Sequence, residues 1–491
     1  MPSQKSNACF GHRGNAMLEK LEKCVEFGEK LGAEFVEVRF DDLTLRTLQR
    51  TNDTWKDVIL RFRVGTGVAC YYGGASGYSF TSGEDKKELE DAVSRAFKMA
   101  EASAKAASLK LKFDRRPPVK SRATDTFPVK IHPRTKDLNC KIDMVNRAVD
   151  AARGFGKNIS NVTAMYGELY GRKLFTNSEG SMVDWDFEVV DLRCHVVSKT
   201  ESGDLVEGLG HAQGTMGLEL FNAAGSKPED IGKEAGTNAK EQLKARTCPA
   251  GQFRALIENN LGGVLAHESF GHLSEGDFVV VGESPLTGKI GSRLGTENAT
   301  IVDTGTPNIR EFGGLWMPYD DQGTKAGKTT VLDRGVLKHY LHSRGTAQYL
   351  KQQPTGNCRA VHFGFIPIPR MTNTYFAPGS LTKEEALELL GTGIYAVQTS
   401  GGQVEGDGSF LFKAIRGYWV EKGEIQAPLR EVALSGNILQ LLSKVEGATK
   451  DLCIYAGYFG GCGKSGQFPL PVGIGGPELV VGEVTFGGKV D

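Results

Sequence analysis

Two long stretches of this sequence alternate between apolar and polar residues, and this alternation limits the fold more than any other feature. The first runs from residue 33 to residue 83, and the second from residue 163 to residue 213, where Asn177-Ser-Glu-Gly180 is typical of a turn. A period of two is typical of strands that bury one face. Glycines between the alternating segments indicate tight turns. The sequence therefore predicts antiparallel strands in both stretches.

Four segments with apolar residues at helical spacing flank these strands. They cover residues 15–32, 84–107, 137–153 and 228–245. This spacing places the apolar side chains on one face of an α-helix, where they can pack against a sheet. Helices and strands together predict an α+β region.

Beyond residue 247 the sequence changes to short apolar segments separated by glycines, and only 383–391 and 436–445 have the pattern of clear helices. We therefore expect an α+β fold with two domains. The N-terminal α+β domain would cover residues 1–247, with antiparallel strands flanked by helices, and a β-rich C-terminal domain would cover residues 248–491. Prolines within residues 113–135 mark an extended segment and a further seam inside the first domain.

The charge balance argues against two classes of partner. The chain has 59 Lys and Arg residues and 59 Asp and Glu residues, so no net field would hold it on nucleic acid or on an anionic membrane surface.

No apolar run reaches the roughly 18 residues that a membrane helix needs. The first residues lack the apolar core of a secretory signal, and we expect a cytoplasmic protein. Nine cysteines without a CxxC pair make a disulfide framework improbable.

A histidine pair beside a glutamate is the most informative segment. His267 and His272 enclose Glu268 and are five residues apart. In the HExxH motif of zinc peptidases the histidines are four residues apart, about 40° around a helix, so that both reach one metal. A separation of five turns the second ring about 140° away on a regular α-helix. Two geometries would correct this: a π-bulge that absorbs one residue, or a helix end at Gly271 that turns His272 back.

A third ligand is needed, because catalytic zinc takes three protein ligands and a water. Cys462 is the candidate, since it lies between glycines in Gly460-Gly-Cys-Gly-Lys-Ser-Gly466, where a turn lets a thiolate approach a metal closely. Lys464 and the metal would both favour the thiolate form. The alternative interpretations are structural histidines and a loop cysteine with no partner.

Three further pairs of residues are open to two interpretations each: Asp320 and Asp321, Arg370 and Asn373, and His339 and His342. The first pair either orients the ligand imidazoles or closes a turn. The second pair either grips a peptide or supports its own loop. The third pair is either a second set of ligands or part of a strand.

Several motifs occur in a fixed order along the second half of the chain. They are His267-Glu-Ser-Phe-Gly-His272 followed by Glu275-Gly-Asp277, Tyr319-Asp-Asp-Gln-Gly323, Pro369-Arg-Met-Thr-Asn-Thr-Tyr375, Gly401-Gly-Gln-Val404, Cys462-Gly-Lys-Ser-Gly-Gln467 and Pro471-Val-Gly-Ile-Gly475. This ordered set resembles the TldD/PmbA family, once described as modulators of DNA gyrase and now regarded as metalloproteases. The Asn177-Ser-Glu-Gly180 turn extends a weaker likeness into the first half.

The resemblance implies a zinc ion bound by His267, His272 and Cys462, with the motif glutamate at Glu268. It also implies a TldD-type subunit, which keeps the metal motif and forms a dimer, either with a PmbA-type paralogue that has lost the motif or with a second copy. Ser274 stands where the family often has leucine, and Gln322 where an acidic residue is common. Neither residue is a ligand, and both bear on substrate preference.

We therefore expect a zinc-dependent peptidase that hydrolyses peptides or unfolded polypeptide segments with metal-activated water, Glu268 being the general base. The C-terminal domain would be the metal-binding catalytic domain, and neither nucleic acid nor a membrane is an expected partner. The alternative is a non-catalytic regulatory or binding subunit with a structural metal site. The complete ligand set and the balanced charge favour the peptidase.

Overall fold

The computed structural model of the chain describes residues 4–106, 110, 115–121 and 126–487. Its first large feature is an antiparallel sheet of six strands in the order β3-β2-β1-β4-β5-β6. The strands are β1 (Phe35–Thr51), β2 (Thr54–Tyr72), β3 (Ala75–Thr81), β4 (Ile159–Asn177), β5 (Met182–Lys199) and β6 (Leu205–Gly214). The antiparallel strands predicted for residues 33–83 and 163–213 are confirmed.

Four helices cover one face of this sheet. They are α1 (Gln4–Lys30), α2 (Lys86–Ala106), α3 (Leu138–Arg153) and α4 (Pro228–Gln242). The first two pack on a core that includes Val36 and Val68, and the other two on a core that includes Val162. The four predicted helices are confirmed, although α1 begins earlier than predicted and α4 ends three residues sooner. Residue 107 lies outside the described residues.

The predicted extended segment at 113–135 is only partly described, because residues 113, 114 and 122–125 lie outside the described residues. Its described part has no α-helix and no strand of the six-stranded sheet. It forms a single bridge between Lys120 and Met182 and a 3-10 turn at Pro133–Thr135.

The other face of the sheet packs against the second half of the chain. Leu43 and Leu45 of β1 share a buried cluster with Leu315 and Met317. Beside this cluster, the Nζ of Lys173 on β4 lies 2.6 Å from Oδ1 of Asp321. Apolar packing and a buried ion pair therefore join the N-terminal sheet to the residues that follow it.

The Asp320 and Asp321 pair closes a turn, as one of its two interpretations predicted. Oδ1 of Asp320 accepts hydrogen bonds from the backbone N–H groups of Gln322 and Thr324, both at 2.9 Å. Oδ2 of the same side chain accepts one from Cys358 N at 3.0 Å. Asp321 contacts Arg39 and Lys173 of the N-terminal sheet and accepts the backbone N–H of Ala360 at 2.8 Å. None of the described hydrogen bonds or ion pairs of either aspartate is with a histidine.

Residues 246–486 form a β-rich part, as predicted. They build an eight-stranded sheet in the order β15-β8-β24-β18-β16-β17-β7 with β19 beside β24, a six-stranded sheet in the order β11-β10-β9-β14-β23-β20, and two short ribbons. The strands are β7 (Arg246–Thr247), β8 (Gly251–Ile257), β9 (Ile301–Thr304), β10 (Lys328–Asp333), β11 (Val336–Leu337), β12 (Cys358–Arg359), β13 (Ile368–Pro369), β14 (Asn373–Phe376), β15 (Gly393–Val404), β16 (Ser409–Glu421), β17 (Glu424–Arg430), β18 (Val432–Asn437), β19 (Val445–Ala448), β20 (Cys453–Ala456), β21 (Cys462–Lys464), β22 (Gln467–Leu470), β23 (Gly473–Gly476) and β24 (Leu479–Phe486). The helices are α5 (Asn259–Val264), α6 (Gly276–Val281), α7 (Ile309–Phe312), α8 (Arg344–Tyr349), α9 (Lys383–Leu390) and α10 (Ile438–Leu442).

The helix predicted at 383–391 is confirmed, and the one predicted at 436–445 is confirmed only for Ile438–Leu442. Gly436 lies in β18 and pairs with Phe410 of β16. The helix α10 begins only at Ile438, because Oδ1 of Asn437 accepts the backbone N–H of Leu439 at 3.0 Å and so caps it. The apolar periodicity spans a strand and a short helix that follow each other directly.

A buried aspartate fixes the segment that later lies beside the candidate site. Asp303 of β9 accepts hydrogen bonds from the N–H and the hydroxyl of Thr372, at 2.8 and 2.6 Å, and from the hydroxyl of Thr374 at 2.7 Å. The amide of Asn357 donates a further bond at 2.8 Å. Four donors on one carboxylate hold residues 372–374 in a single position.

No helix in the described ranges is long and apolar enough to cross a membrane. The cytoplasmic location stays a prediction from sequence. The division into domains at residue 247 also stays a prediction.

Candidate metal centre

A π-helical turn brings the two motif histidines to one side of the chain. Leu265–Gly271 follows α5 directly and forms this turn, and the backbone N–H of His272 donates to the carbonyl oxygen of His267, five residues before it. The wider turn absorbs the extra residue of the motif. The rings of His267 and His272 consequently lie 5.5 Å apart between centroids. Of the two geometries predicted from the spacing, the structure has the π-bulge.

Gly271 lets this turn lie close to the segment behind it. A Cβ atom at this position would stand 2.0 Å from Sδ of Met371, well inside contact distance. The atom that this Cβ would meet belongs to the fully buried side chain of Met371, which would have to change its conformation to make room. The glycine is therefore needed for packing rather than for an unusual backbone angle.

Cys462 reaches the histidines from the far end of the chain. It begins β21, which forms a two-stranded ribbon with β22, and it is 1% exposed. Its Sγ lies 3.3 Å from Nε2 of His272. One ligand atom from each of His267, His272 and Cys462 lies within 4.8 Å of the other two. The three residues predicted as ligands are thus brought together.

The chemistry of His267 fits a metal ligand. The ring is fully buried, and neither Nδ1 nor Nε2 has a hydrogen-bond partner. Burial lowers the pKa of His267 well below its usual value, and the charges of His272 and Arg370 add to this effect. A neutral imidazole with an unpaired buried nitrogen needs an electron-pair acceptor, and two imidazoles with a thiolate are a donor set that occurs at catalytic zinc sites.

His272 is held by a carboxylate on its other side. Its Nδ1 lies 2.9 Å from Oε2 of Glu275, an arrangement that orients a ligand imidazole. Burial acts to lower the pKa of His272, but the charges of Glu275 and Cys462 raise it well above the usual value. Sequence reasoning did not assign this role to Glu275, although its position three residues after His272 was a usable signal.

Lys464 pairs with two carboxylates of the motif segment. Its Nζ donates to Oε2 of Glu275 at 2.9 Å and to Oδ1 of Asp277 at 2.7 Å, and also to the carbonyl oxygen of Pro369 at 3.2 Å. The lysine therefore pairs with the carboxylate behind His272, rather than with the sulfur of Cys462. It joins β21 to the motif segment through charge.

Glu268 lies beside the ligands and reaches the solvent. Its Oε1 lies 4.0 Å from Nε2 of His267, and its Oε2 lies 3.6 Å from Nε2 of His272. The side chain is 34% exposed. Burial raises the pKa of its carboxyl above the usual value. It lines a cavity of about 420 Å³ together with His272 and Lys464. A carboxylate in this position is suited to exchange a proton with a molecule in the cavity.

Arg370 is buried without a partner near this centre. The side chain is 0% exposed, and none of its three nitrogens has a hydrogen-bond partner. Its positive charge acts on both His267 and Glu268, lowering the pKa of each. Asn373, in contrast, bonds to the backbone of Thr304 and Leu315, which confirms the structural interpretation for that residue.

The second histidine pair does not form a ligand set. His342 bonds through Nδ1 to the hydroxyl of Thr346 at 3.1 Å and through Nε2 to Oε1 of Gln352 at 3.0 Å. Burial lowers its pKa to about 4. His339 is exposed, and both histidines lie beyond β11, which ends at Leu337, so the strand predicted for this segment is wrong.

Two family models match most of the chain. Residues 131–243 match the PmbA/TldA metallopeptidase central domain, and residues 250–488 match the PmbA/TldA metallopeptidase C-terminal domain. The chain is also 32% identical over 463 residues to a metalloprotease of Methanocaldococcus jannaschii, covering 94% of this chain and 97% of that one.

Two further similarities concern zinc and the fold. A zinc metalloprotease TldD homolog of Saccharolobus solfataricus is 27% identical, over 95% of this chain and all of its own length. The crystal structure of TldE from Thermococcus kodakarensis has a TM-score of 0.74 at 16% identity, covering 96% of this chain and 100% of that one. The likeness to TldE shows that this chain and TldE have the same fold.

We expect Gly271→Ala to lower both stability and zinc content, because its Cβ would collide with Met371. The cost in unfolding free energy should be about 1–3 kcal/mol, measured by urea unfolding, with zinc counted by mass spectrometry of purified protein. The double variant Gly271→Ala with Met371→Ala should be less destabilised than the sum of the single variants. Gly327→Ala is the control, since nothing lies within 4 Å of a Cβ there. Additive single effects would show that this contact does not restrict the turn.

Proposed function

The chain belongs to the PmbA/TldA metallopeptidase family, and we propose on this premise that it is a zinc-dependent peptidase whose metal is held by His267, His272 and Cys462. The observation that carries the proposal is the approach of these three ligand atoms to within 4.8 Å of one another. The unpaired, buried nitrogens of His267 support it. The zinc named for the Saccharolobus solfataricus relative supports the choice of metal.

Glu268 is the general base of the proposed reaction. When bound, zinc supplies a Lewis acid that lowers the pKa of a water molecule and polarises a peptide carbonyl. Glu268 accepts a proton from the water and delivers it to the nitrogen of the leaving amine. The raised pKa of its carboxyl supports this role, because a base whose pKa approaches the working pH both accepts and returns a proton efficiently.

In the proposed reaction, the positive charge of Arg370 stabilises the negative charge that develops on the carbonyl oxygen of the substrate. A buried guanidinium with three unpaired nitrogens is costly in the resting protein, because desolvation of the charge is not offset by a partner. Addition of water to a carbonyl places a negative charge on the carbonyl oxygen, and a preorganised positive charge nearby stabilises that state more than the ground state. The influence of Arg370 on Glu268 and His267 supports a location within electrostatic reach of the reacting atoms.

The substrates are peptides or unfolded polypeptide segments. His267 and Cys462 are 0% and 1% exposed, so an extended chain can approach the centre more readily than a folded surface can. We also propose that the protein works as a dimer, with a PmbA-type paralogue or with a second copy. The fold shared with TldE of Thermococcus kodakarensis supports a partner built on the same fold.

A structural metal site in a regulatory subunit is the alternative function. Structural zinc has four protein ligands, whereas the cluster within the described ranges has three. The cavity beside Glu268 leaves room for a water and a substrate. Both observations favour the peptidase.

We expect Glu268→Gln to abolish peptide hydrolysis and to keep the zinc. Loss of the base should lower turnover by about 10²–10⁴-fold, while zinc content stays at one ion per chain. Hydrolysis of unstructured peptides followed by mass spectrometry measures the first quantity, and metal analysis the second. Glu283→Gln is the matched control, because Glu283 lines the same cavity without contacting the ligands. Peptidase activity at the wild-type level in Glu268→Gln would refute the assigned base.

We expect Arg370→Met to lower turnover by about 10²-fold or more without lowering stability. Replacing an unpaired buried charge by an apolar side chain of similar size is neutral or stabilising, so urea unfolding should show no loss. Arg370→Lys should recover part of the turnover. A purely structural arginine would give the opposite result, with lower stability and unchanged turnover for each folded molecule.

A further inference from the structure

The strand β2 has an edge that no described strand covers. It pairs with β1 along its whole length, but with β3 only from Thr66 to Tyr72. From Thr54 to Gly65 the backbone groups on its outer side therefore have no strand partner among the described residues. An open edge of this length is a template for pairing with another chain.

The same part of β2 exposes a row of large apolar side chains. Val58, Leu60 and Phe62 are 51%, 45% and 67% exposed, and they share one face because they alternate along the strand. Val58 lies opposite Leu48 of β1, which is buried in the core under α3, so the row continues the helix-covered face beyond the helices. Exposed edges in monomers usually carry lysine, proline or a bulge. Here Lys56 and a bulge occur only near the start of the open edge, and three large apolar side chains are exposed beyond them, at Val58, Leu60 and Phe62.

The sequence of this edge is complementary to itself when it is read in the antiparallel direction. With Leu60 opposite Leu60 of the second strand, Val58 lies opposite Phe62 on one face, and on the other face Asp57 lies opposite Arg63 and Ile59 opposite Arg61. Each of these pairs except Leu60–Leu60 occurs twice across the two-fold axis. Apolar and oppositely charged cross-strand pairs both stabilise a sheet. No ion pair within the described ranges occupies Asp57, whereas Arg63 is half-buried and interacts with the charge of Asp41, so the Asp57–Arg63 pair would compete with that interaction.

We propose that a second copy of this chain docks on this edge, joining the two N-terminal sheets through antiparallel β2 strands about a two-fold axis at Leu60. The inference rests on the dimer proposed above and specifies its surface and its partner. A two-fold axis makes the contact self-complementary, which is the property that the edge sequence has. The apolar row of one copy then covers that of the other, and the open backbone groups are paired.

The first test is the mass in solution of the full-length zinc-loaded protein, measured by light scattering after size exclusion. The wild type should have twice the mass of one chain, 53.1 kDa, and Leu60→Lys should shift to the monomer, with a dissociation constant at least tenfold higher. Leu205→Lys is the matched control, since Leu205 is 67% exposed on β6, and it should stay dimeric. A monomeric wild type, including one that dimerises only with a paralogous chain, would overturn the proposal.

The second test addresses the register. Asp57→Arg and Arg63→Asp should each weaken the dimer by placing like charges opposite each other, and the double variant should restore it. Leu60→Cys should give a covalent dimer on mild oxidation, because residues opposite each other have Cα atoms about 4.5–5.5 Å apart, within disulfide reach. Wild type and Leu205→Cys should not cross-link. A failure of both the charge exchange and the cross-link would refute this surface.

Zinc content and Glu268-dependent hydrolysis are measured on the same samples. A variant that loses the dimer but keeps its zinc shows that the edge acts on assembly alone. If zinc and hydrolysis are absent from the wild type while the dimer and its register hold, the peptidase proposal fails and the docking surface stands.

Discussion

One backbone hydrogen bond determines the candidate centre: the bond from the N–H of His272 to the carbonyl of His267, five residues earlier. On a regular α-helix this spacing would turn the two rings about 140° apart, and no single ion could bind both. The π-helical turn brings both rings to the same side of the chain, although it makes the helix less regular. Gly271 allows this turn to lie against Met371. The rest of the site depends on this local geometry, since Cys462, Glu268 and Glu275 are all positioned relative to the two rings.

Around this turn the protein concentrates polar groups that lack partners within the described residues. His267 and Arg370 are fully buried, and their side-chain nitrogens are unpaired. Such groups destabilise the folded chain unless something else satisfies them. Unpaired buried groups of this kind near a partly exposed glutamate that lines a cavity are typical of a functional site, where a ligand completes the interactions that the chain leaves open. The surrounding sheets and the Asp303 hydrogen bonds hold these groups in place.

The sequence was sufficient to predict the N-terminal strands and helices, because long alternation and helical periodicity are local signals. The helix predicted at residues 436–445 was too long, because a strand and a capped five-residue helix share one apolar pattern there. The off-period histidines could be read as a π-bulge or a helix end, and the sequence pattern alone did not choose between them. The structure shows the bond from the N–H of His272 to the carbonyl of His267. The pairing of Lys464 with Glu275 was missed. The spacing of residues along the sequence indicates local geometry, but it does not indicate which distant residues a side chain contacts, because tertiary packing determines those contacts.

The most direct test of the central claim is X-ray absorption at the zinc edge on the purified wild-type protein and its Cys462→Ser variant. If His267, His272 and Cys462 bind one zinc ion, the wild-type spectrum should contain one sulfur at about 2.3 Å and two imidazole nitrogens at about 2.0–2.1 Å, with one lighter ligand. The variant should lose the sulfur contribution. A wild-type spectrum without sulfur, or a sulfur contribution that survives in the variant, would contradict the account.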